Sequence, residues 1–246
     1  LNTVDDVNVR KAIAMAINVD SIVKNIMEGR ARRFKGVYSP MIWGADQSLG
    51  FYEYNVEKAK ELVSKSGLSK DQLTYPLWVP TGRITKGNEV AEAIAADLAK
   101  IGITAKVSPI EYGRWFDEHR NGKLQGMTLE SVTATTGDPD QLFRDNDSKR
   151  SGKYHTSPEL DALIHANQQV VKPDVRLPKV QAVQKYLFEN VLWVPLYDID
   201  LLYGVSNKID WQPIPNDLMW LYIATVSYTH LRAHETPEHL VCRLLL

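Results

Sequence analysis

The sequence predicts an α/β fold, on three observations. Stretches with apolar residues at helical spacing alternate with short stretches that read as strands. The segment "GNEVAEAIAADLAKIGITAKVSPI" joins a helix to an alternating strand and follows the strand "LTYPLWVP", which makes a β-α-β unit. Helix boundaries are marked by Asn, Asp and Ser caps, by proline at first helical positions and by glycine stops.

The elements follow in order. "DDVNVRKAIAMAINVDSIVKNIMEG" sets Val9, Ile13, Ala16 and Ile17 at helical spacing, then opens a second short helix at Asp20 that stops at Gly29. After a loop containing Pro40 and Trp43, "YNVEKAKELVSKSGL" is a helix with Asn55 as N-cap and Gly67 as left-handed C-cap. "LTYPLWVP" is a strand. Val90, Ile94, Ala95 and Leu98 form one face of the next helix, Gly102 ends it, and "ITAKVSPI" alternates as a strand. "EYGRWFDEHRNG" reads as a helix, "MTLESVTAT" as a strand, and "DPDQLF" as a helix start with Asp138 as N-cap and Pro139 at the first helical position. "TSPELDALIHANQQVV" repeats that signature at Ser157 and Pro158. "LPKVQAVQKYLFENV" is a helix with Val180, Val183 and Leu187 on one side, and "LWVPLYDIDLLYGVS" is a strand pair or one strand bent at Pro195.

Composition bounds the function. The chain has 246 residues, 24% charged and 44% hydrophobic, with a net charge of -1. That is ordinary globular usage, with no field to attract nucleic acid or an anionic membrane. No apolar run reaches the roughly 18 residues of a membrane span. The start at "LNTVDD" has neither an initiator Met nor a signal-peptide pattern, so the chain reads as an internal fragment. The absence of cysteine up to Val226 argues against a disulfide scaffold or a Cys-based zinc site there.

Several residues are candidates for chemistry. In the tail "THLRAHETPEHLVC", His230 and His234 fall on one helical face, and with His239 and Cys242 they have zinc-ligand character. Against that reading, the composition changes abruptly at Ser227, and only Glu235 and Glu238 could support the ligands. The tail also resembles a translated sequencing-adaptor read-through that recurs at the ends of unrelated sequences. Residues 227–246 are therefore expected to be non-native, with no metal or cofactor site assigned. Asp138 and Asp140 form a possible carboxylate pair for an α/β hydrolase, or a helix cap and a favourable charge at the positive helix end. His119, His155 and His165 have no nucleophile at a recognisable spacing. Trp43, Trp78, Trp115 and Trp193 are either ligand-stacking or core aromatics. Arg83 stands on the loop between a strand and a long helix, where binding residues concentrate; the alternative is a solvated loop arginine.

Taken together, "VNVRKAIAMAINVDSIVKNIMEGRA", "YNVEKAKELVSKSG", "VPTGRITKGNEVAEAIAADLAKIGITAKV", "TGDPDQLF" and "WVPLY" resemble the extracytoplasmic solute-binding proteins of family 5, receptors of ABC importers for peptides, nickel and glycosides. The motifs stand in the family's order and approximate spacing across residues 1–226. The resemblance implies a periplasmic-binding-protein-like lobe of type II, with a mixed sheet and flanking helices, here incomplete. Residues 1–190 would be most of the second lobe and residues 191–226 the return into a first lobe otherwise missing. It also implies a non-catalytic receptor, a monomer when complete, that is periplasmic or lipid-anchored outside the cytoplasm and delivers a small solute to permease subunits.

In peptide-binding relatives an arginine before the long helix holds the ligand carboxylate, and Arg83 matches it. An aspartate in a "W-x-x-D-x-x-D-P" segment neutralises the peptide ammonium. Aligning on Gly137, Asp138 and Pro139 puts Thr135 at the aspartate position and Val132 at the tryptophan position, with Thr133 between them. The resemblance thus implies Arg83, Val132, Thr133 and Thr135 as ligand-binding residues, and a solute without a free amino terminus.

Overall fold

The structure is a computed structural model that describes residues 1, 3–150, 155–214 and 218–226. It divides into two compact units, residues 1–200 and 201–246. The tail ligands His230, His234, His239 and Cys242 lie outside the described residues.

The first unit opens with α1 (Val7–Ala16), capped by the Asp6 carboxylate, which accepts from the backbone N–H groups of Asn8 and Val9. The next helix starts at Asn18, whose side chain accepts from the Ser21 N–H; a single turn, α2 (Val19–Ser21), widens into a π-turn over Ile22–Ile26. The strand β1 (Ala31–Arg32) follows, and after a long loop α3 (Val56–Ser66) begins under the Asn55 cap and ends at Gly67, whose φ of 66° is left-handed. Both ends of α3 sit where the sequence puts them, because a cap and a left-handed glycine are local devices.

The β-α-β unit comes next: β2 (Thr74–Thr81), α4 (Gly87–Ala99) and β3 (Thr104–Glu111). Strand β2 is parallel to β3 in unbroken register from Thr74 opposite Thr104 to Thr81 opposite Glu111. Gly87 allows α4 to approach β2, since a Cβ there would lie 3.2 Å from the Ile84 side chain and 3.3 Å from that of Val79. After α5 (Tyr112–Arg120), the two-residue β4 (Met127–Thr128) pairs with the other edge of β2, also parallel. The sheet order is β3-β2-β4. Beyond β4 only the Leu129 N–H continues the ladder, donating to the Trp78 carbonyl at 2.9 Å. The strand expected over 127–135 is therefore short, ending at Thr128.

The remaining helices are α6 (Asp140–Phe143), α7 (Pro158–Gln168) and α8 (Pro173–Glu189). Ser157 caps α7 by accepting from the Leu160 N–H, as its Ser-Pro signature predicts. Helix α8 starts earlier than its apolar face suggests, at Pro173, and carries Pro178 inside its first turns. Strand β5 (Asp198–Ile199) pairs antiparallel with β1. It is the only strand among the described residues of the stretch around Pro195. In the second unit, β6 (Ile209–Asp210) and β7 (Thr225–Val226) pair antiparallel.

Two main cores form in the first unit. One gathers α1, α4 and the inner residues of β2 around Ile13, Leu77, Val79, Ile94 and Leu98; the other gathers α6, α7 and α8 around Phe143, Leu160, Ile164, Val183 and Leu187. Among the described residues no helix is long and apolar enough to cross a membrane.

Candidate functional site

The carboxyl edge of the parallel sheet is where an open α/β sheet gathers loops that can bind a ligand. Strand β2 leaves this edge through Gly82, with φ of 76°, into the turn that carries Arg83. Strand β4, its neighbour, leaves the same edge into the segment holding Val132, Thr133 and Thr135. Strand β3 leaves it into α5. The turn carrying Arg83, the segment that runs on to Val132, Thr133 and Thr135, and the first turn of α5 thus all leave the sheet by the same edge.

Arg83 is exposed, and its guanidinium lies 5.9 Å from the ring centroid of Tyr112, the first residue of α5. Tyr112 stacks near-parallel on Trp115 at 5.9 Å, and Trp115 on His119 at 4.9 Å and 11°. Phe116 completes an aromatic face at helical spacing, on which Tyr112 and Phe116 are exposed and Trp115 is buried. Of the four tryptophans named from the sequence, only Trp115 belongs to this face and to the core; its indole N–H donates to the Thr128 hydroxyl at 2.8 Å.

On the opposite loop Val132 is exposed, Ala134 is buried, and the Thr135 hydroxyl donates to the Gln141 side-chain oxygen at 3.1 Å. The turn closes through Gly137, with φ of 72°, whose N–H donates to the Ala134 carbonyl.

The carboxylate pair has a structural job. Asp138 accepts two bonds from the Arg176 guanidinium, at 2.5 and 2.7 Å, and one from the Asp140 N–H at 2.9 Å. The Arg176 hydrogen bonds hold the Asp138 carboxyl below the usual carboxylate range. Arg176 also lies over the Trp43 ring, 5.3 Å from its centroid, and donates to Asn167. Asp140 accepts from Arg150 at 2.9 Å and from Gln168 at 3.0 Å. Both acids thus pin α6 to α7 and α8, but the helix begins one residue later than expected: Pro139, not Asp138, stands at the N-cap, because the Asp138 carboxylate is turned to Arg176 and to the Asp140 N–H.

The three histidines part company. His165 contacts the buried Asp147 at 3.1 Å, and a His155 ring nitrogen meets the Leu1 carbonyl, burial pulling its pKa down to about 4. His119 sits with Glu130 and Asp145, their ligand atoms within 4.8 Å of one another. Burial, with a contribution from Asp145, pushes the Glu130 carboxyl up to about 7, and burial lowers the His119 pKa. Sequence reading missed this trio. The one local signal was an acid, Glu130, directly after the buried Leu129 in "MTLESV".

Comparison with known proteins agrees with this fold. Residues 2–154 match the family described as "Bacterial extracellular solute-binding proteins, family 5 Middle". The dipeptide-binding protein of Escherichia coli (strain K12) is 36% identical over 142 residues, covering 56% of this chain and 26% of that protein. Di/tripeptide-binding protein 2 of Pseudomonas aeruginosa (strain UCBPP-PA14) is 32% identical over 200 residues, covering 78% of this chain and 37% of that protein. The solved structure of the periplasmic binding protein DppA from Helicobacter pylori with peptide STSA aligns with a TM-score of 0.68 at 27% identity, over 78% of this chain and 38% of that one. The fold is also that of a dipeptide binding protein from Pseudoalteromonas sp. SM9913 solved with Met-Leu, with a TM-score of 0.75 at 18% identity over 92% and 46% of the two chains. The chain spans roughly a quarter to two fifths of the curated relatives it matches. It belongs to the bacterial extracellular solute-binding proteins of family 5, which bind solutes and do not catalyse reactions.

Proposed function

We infer that this chain is part of the substrate-binding component of an ABC importer, working outside the cytoplasmic membrane. In this reading the protein captures a small peptide-like or other carboxylate- or hydroxyl-rich solute in a cleft and delivers it to the permease. The carrying observation is that the Arg83 turn and the segment leading to residues 132–135 leave neighbouring parallel strands by the same carboxyl edge, in a member of this family. Relatives named for dipeptides and di/tripeptides support the size class.

Arg83 supplies a guanidinium fork that can hold a carboxylate bidentately. The Tyr112 ring lies within cation–π reach of it, 5.9 Å from the guanidinium. Val132 offers an apolar contact, and Thr133 and Thr135 offer neutral hydroxyls. A desolvated ammonium facing Thr135 instead of a carboxylate loses about 2–5 kcal/mol, roughly 30-fold to several thousand-fold in affinity. The reading therefore favours solutes without a free amino terminus.

The test is calorimetry on the full-length receptor containing this chain. A dipeptide and its N-acetyl form are titrated into the parent and into Thr135→Asp. The expected result is at least tenfold tighter binding of the acetylated ligand by the parent and a reversal of that preference in the variant. Parent protein that prefers the free amine, with no gain from Thr135→Asp, would refute the ligand class.

A further inference from the structure

We propose that His119, Glu130 and Asp145 form a site for a single divalent cation of the zinc type, built from residues other than those assigned to the solute. The three residues come from three elements: the last turn of α5, the segment leaving β4, and the 3₁₀ turn Arg144–Asn146 that follows α6. Each is partly buried, and each offers one ligand atom within 4.8 Å of the other two.

One imidazole nitrogen and two carboxylate oxygens suit zinc and its first-row neighbours, whereas magnesium and calcium prefer all-oxygen shells. A tetrahedral shell with bonds of about 2.1 Å needs its donors about 3.4 Å apart. Separations of up to 4.8 Å must therefore contract by at most about 1.4 Å, within reach of the Glu130 and Asp145 side-chain torsions. Such a site leaves a fourth position for water.

The ligands are also held from behind. His119 is fixed in plane by its stack on Trp115. Trp115 in turn is tied through its indole N–H to Thr128, two residues before Glu130. Two of the three ligands thus share one rigid frame, the support that metal ligands require. Arg144 faces the cluster as well, its Nε 3.6 Å from an Asp145 oxygen. A carboxylate has about four lone-pair sites, so Asp145 can serve the guanidinium and the cation together. A bound cation would staple α5 and the turn after α6 to the sheet edge.

The experiment titrates Zn²⁺ into the whole chain by calorimetry and follows thermal melting, comparing the parent with Glu130→Gln, Asp145→Asn and His119→Phe. Glu130→Gln and Asp145→Asn conserve shape, and His119→Phe keeps an aromatic ring against Trp115 while removing both nitrogens. The tail residues His230, His234, His239 and Cys242 are present in every variant, so any uptake by them cancels. The expected result is that the parent takes up one Zn²⁺ more than each variant, or binds at least tenfold more tightly. Its melting temperature should rise by roughly 5 °C at a hundredfold excess over Kd, a rise the variants lose. Zn²⁺ uptake and melting shifts equal in the parent and in folded Glu130→Gln and Asp145→Asn would overturn the proposal, as would no uptake by the parent.

Discussion

Asp138 and Arg10 show how single polar residues hold this chain together. Asp138 grips Arg176 with two charge-assisted bonds while accepting from the backbone N–H of Asp140, the first residue of α6. Asp138→Asn keeps the shape and removes the charge; it is expected to cost about 1–2 kcal/mol, less than a fully buried pair because the site is partly solvated. Since Asp138 has a depressed pKa in the folded state, its contribution is fully present above the unfolded carboxylate value of about 3.9 and is lost as pH falls through the lower folded value. The stability difference between parent and variant, measured by urea unfolding, should stay constant above about pH 5 and shrink below about pH 4. Arg10 is buried and donates to the carbonyls of Val4, Asp5 and Asn190, tying α1 to the end of α8. Arg10→Met should cost about 2–4 kcal/mol in the same assay, because three carbonyls lose a charged donor. A loss below 1 kcal/mol would mean water replaces the guanidinium.

Elements were legible in the sequence wherever their boundaries are set locally. Asn55, Gly67, Ser157 and the β-α-β unit stand where spacing and caps put them. Elements whose extent depends on a partner were not. The stretch around Pro195 alternates like a strand, yet proline has no N–H for a ladder, and only Asp198–Ile199 finds a neighbour in β1. The residues proposed for binding, Arg83 and Thr135, come from the motif order alone, while the Tyr112–Phe116 face and the Glu130 cluster need the sheet to bring distant segments together. Gly126 shows the same dependence on tertiary structure. It has φ of 79°, and a Cβ there would lie 2.6 Å from the Pro76 carbonyl oxygen and 2.7 Å from its ring. Gly126→Ala combines a left-handed backbone with a clash against β2, and is expected to lower stability by about 2–4 kcal/mol by denaturant melt. An unchanged midpoint would show that β4 can shift away from β2 freely.

For the whole molecule, the second unit presents an apolar surface that the cores described above do not. Leu202, Met219, Leu221 and Tyr222 are between 65% and 76% exposed, in a segment that also exposes Leu201, Val205 and Val226. So many exposed large apolar side chains within one short stretch of chain favour association. The chain expressed alone is therefore expected to bind hydrophobic dye and to self-associate, and monodisperse behaviour without dye binding would contradict this. The central claim is that the sheet edge carrying Arg83 is the solute site of a receptor. Its most direct test is calorimetric titration of the full-length receptor with an N-acetyl dipeptide, parent against Arg83→Ala. The account predicts saturable binding at one site without turnover, weakened by Arg83→Ala at least tenfold, while the melting temperature without ligand is unchanged because Arg83 is exposed. Equal affinity in parent and variant would contradict it.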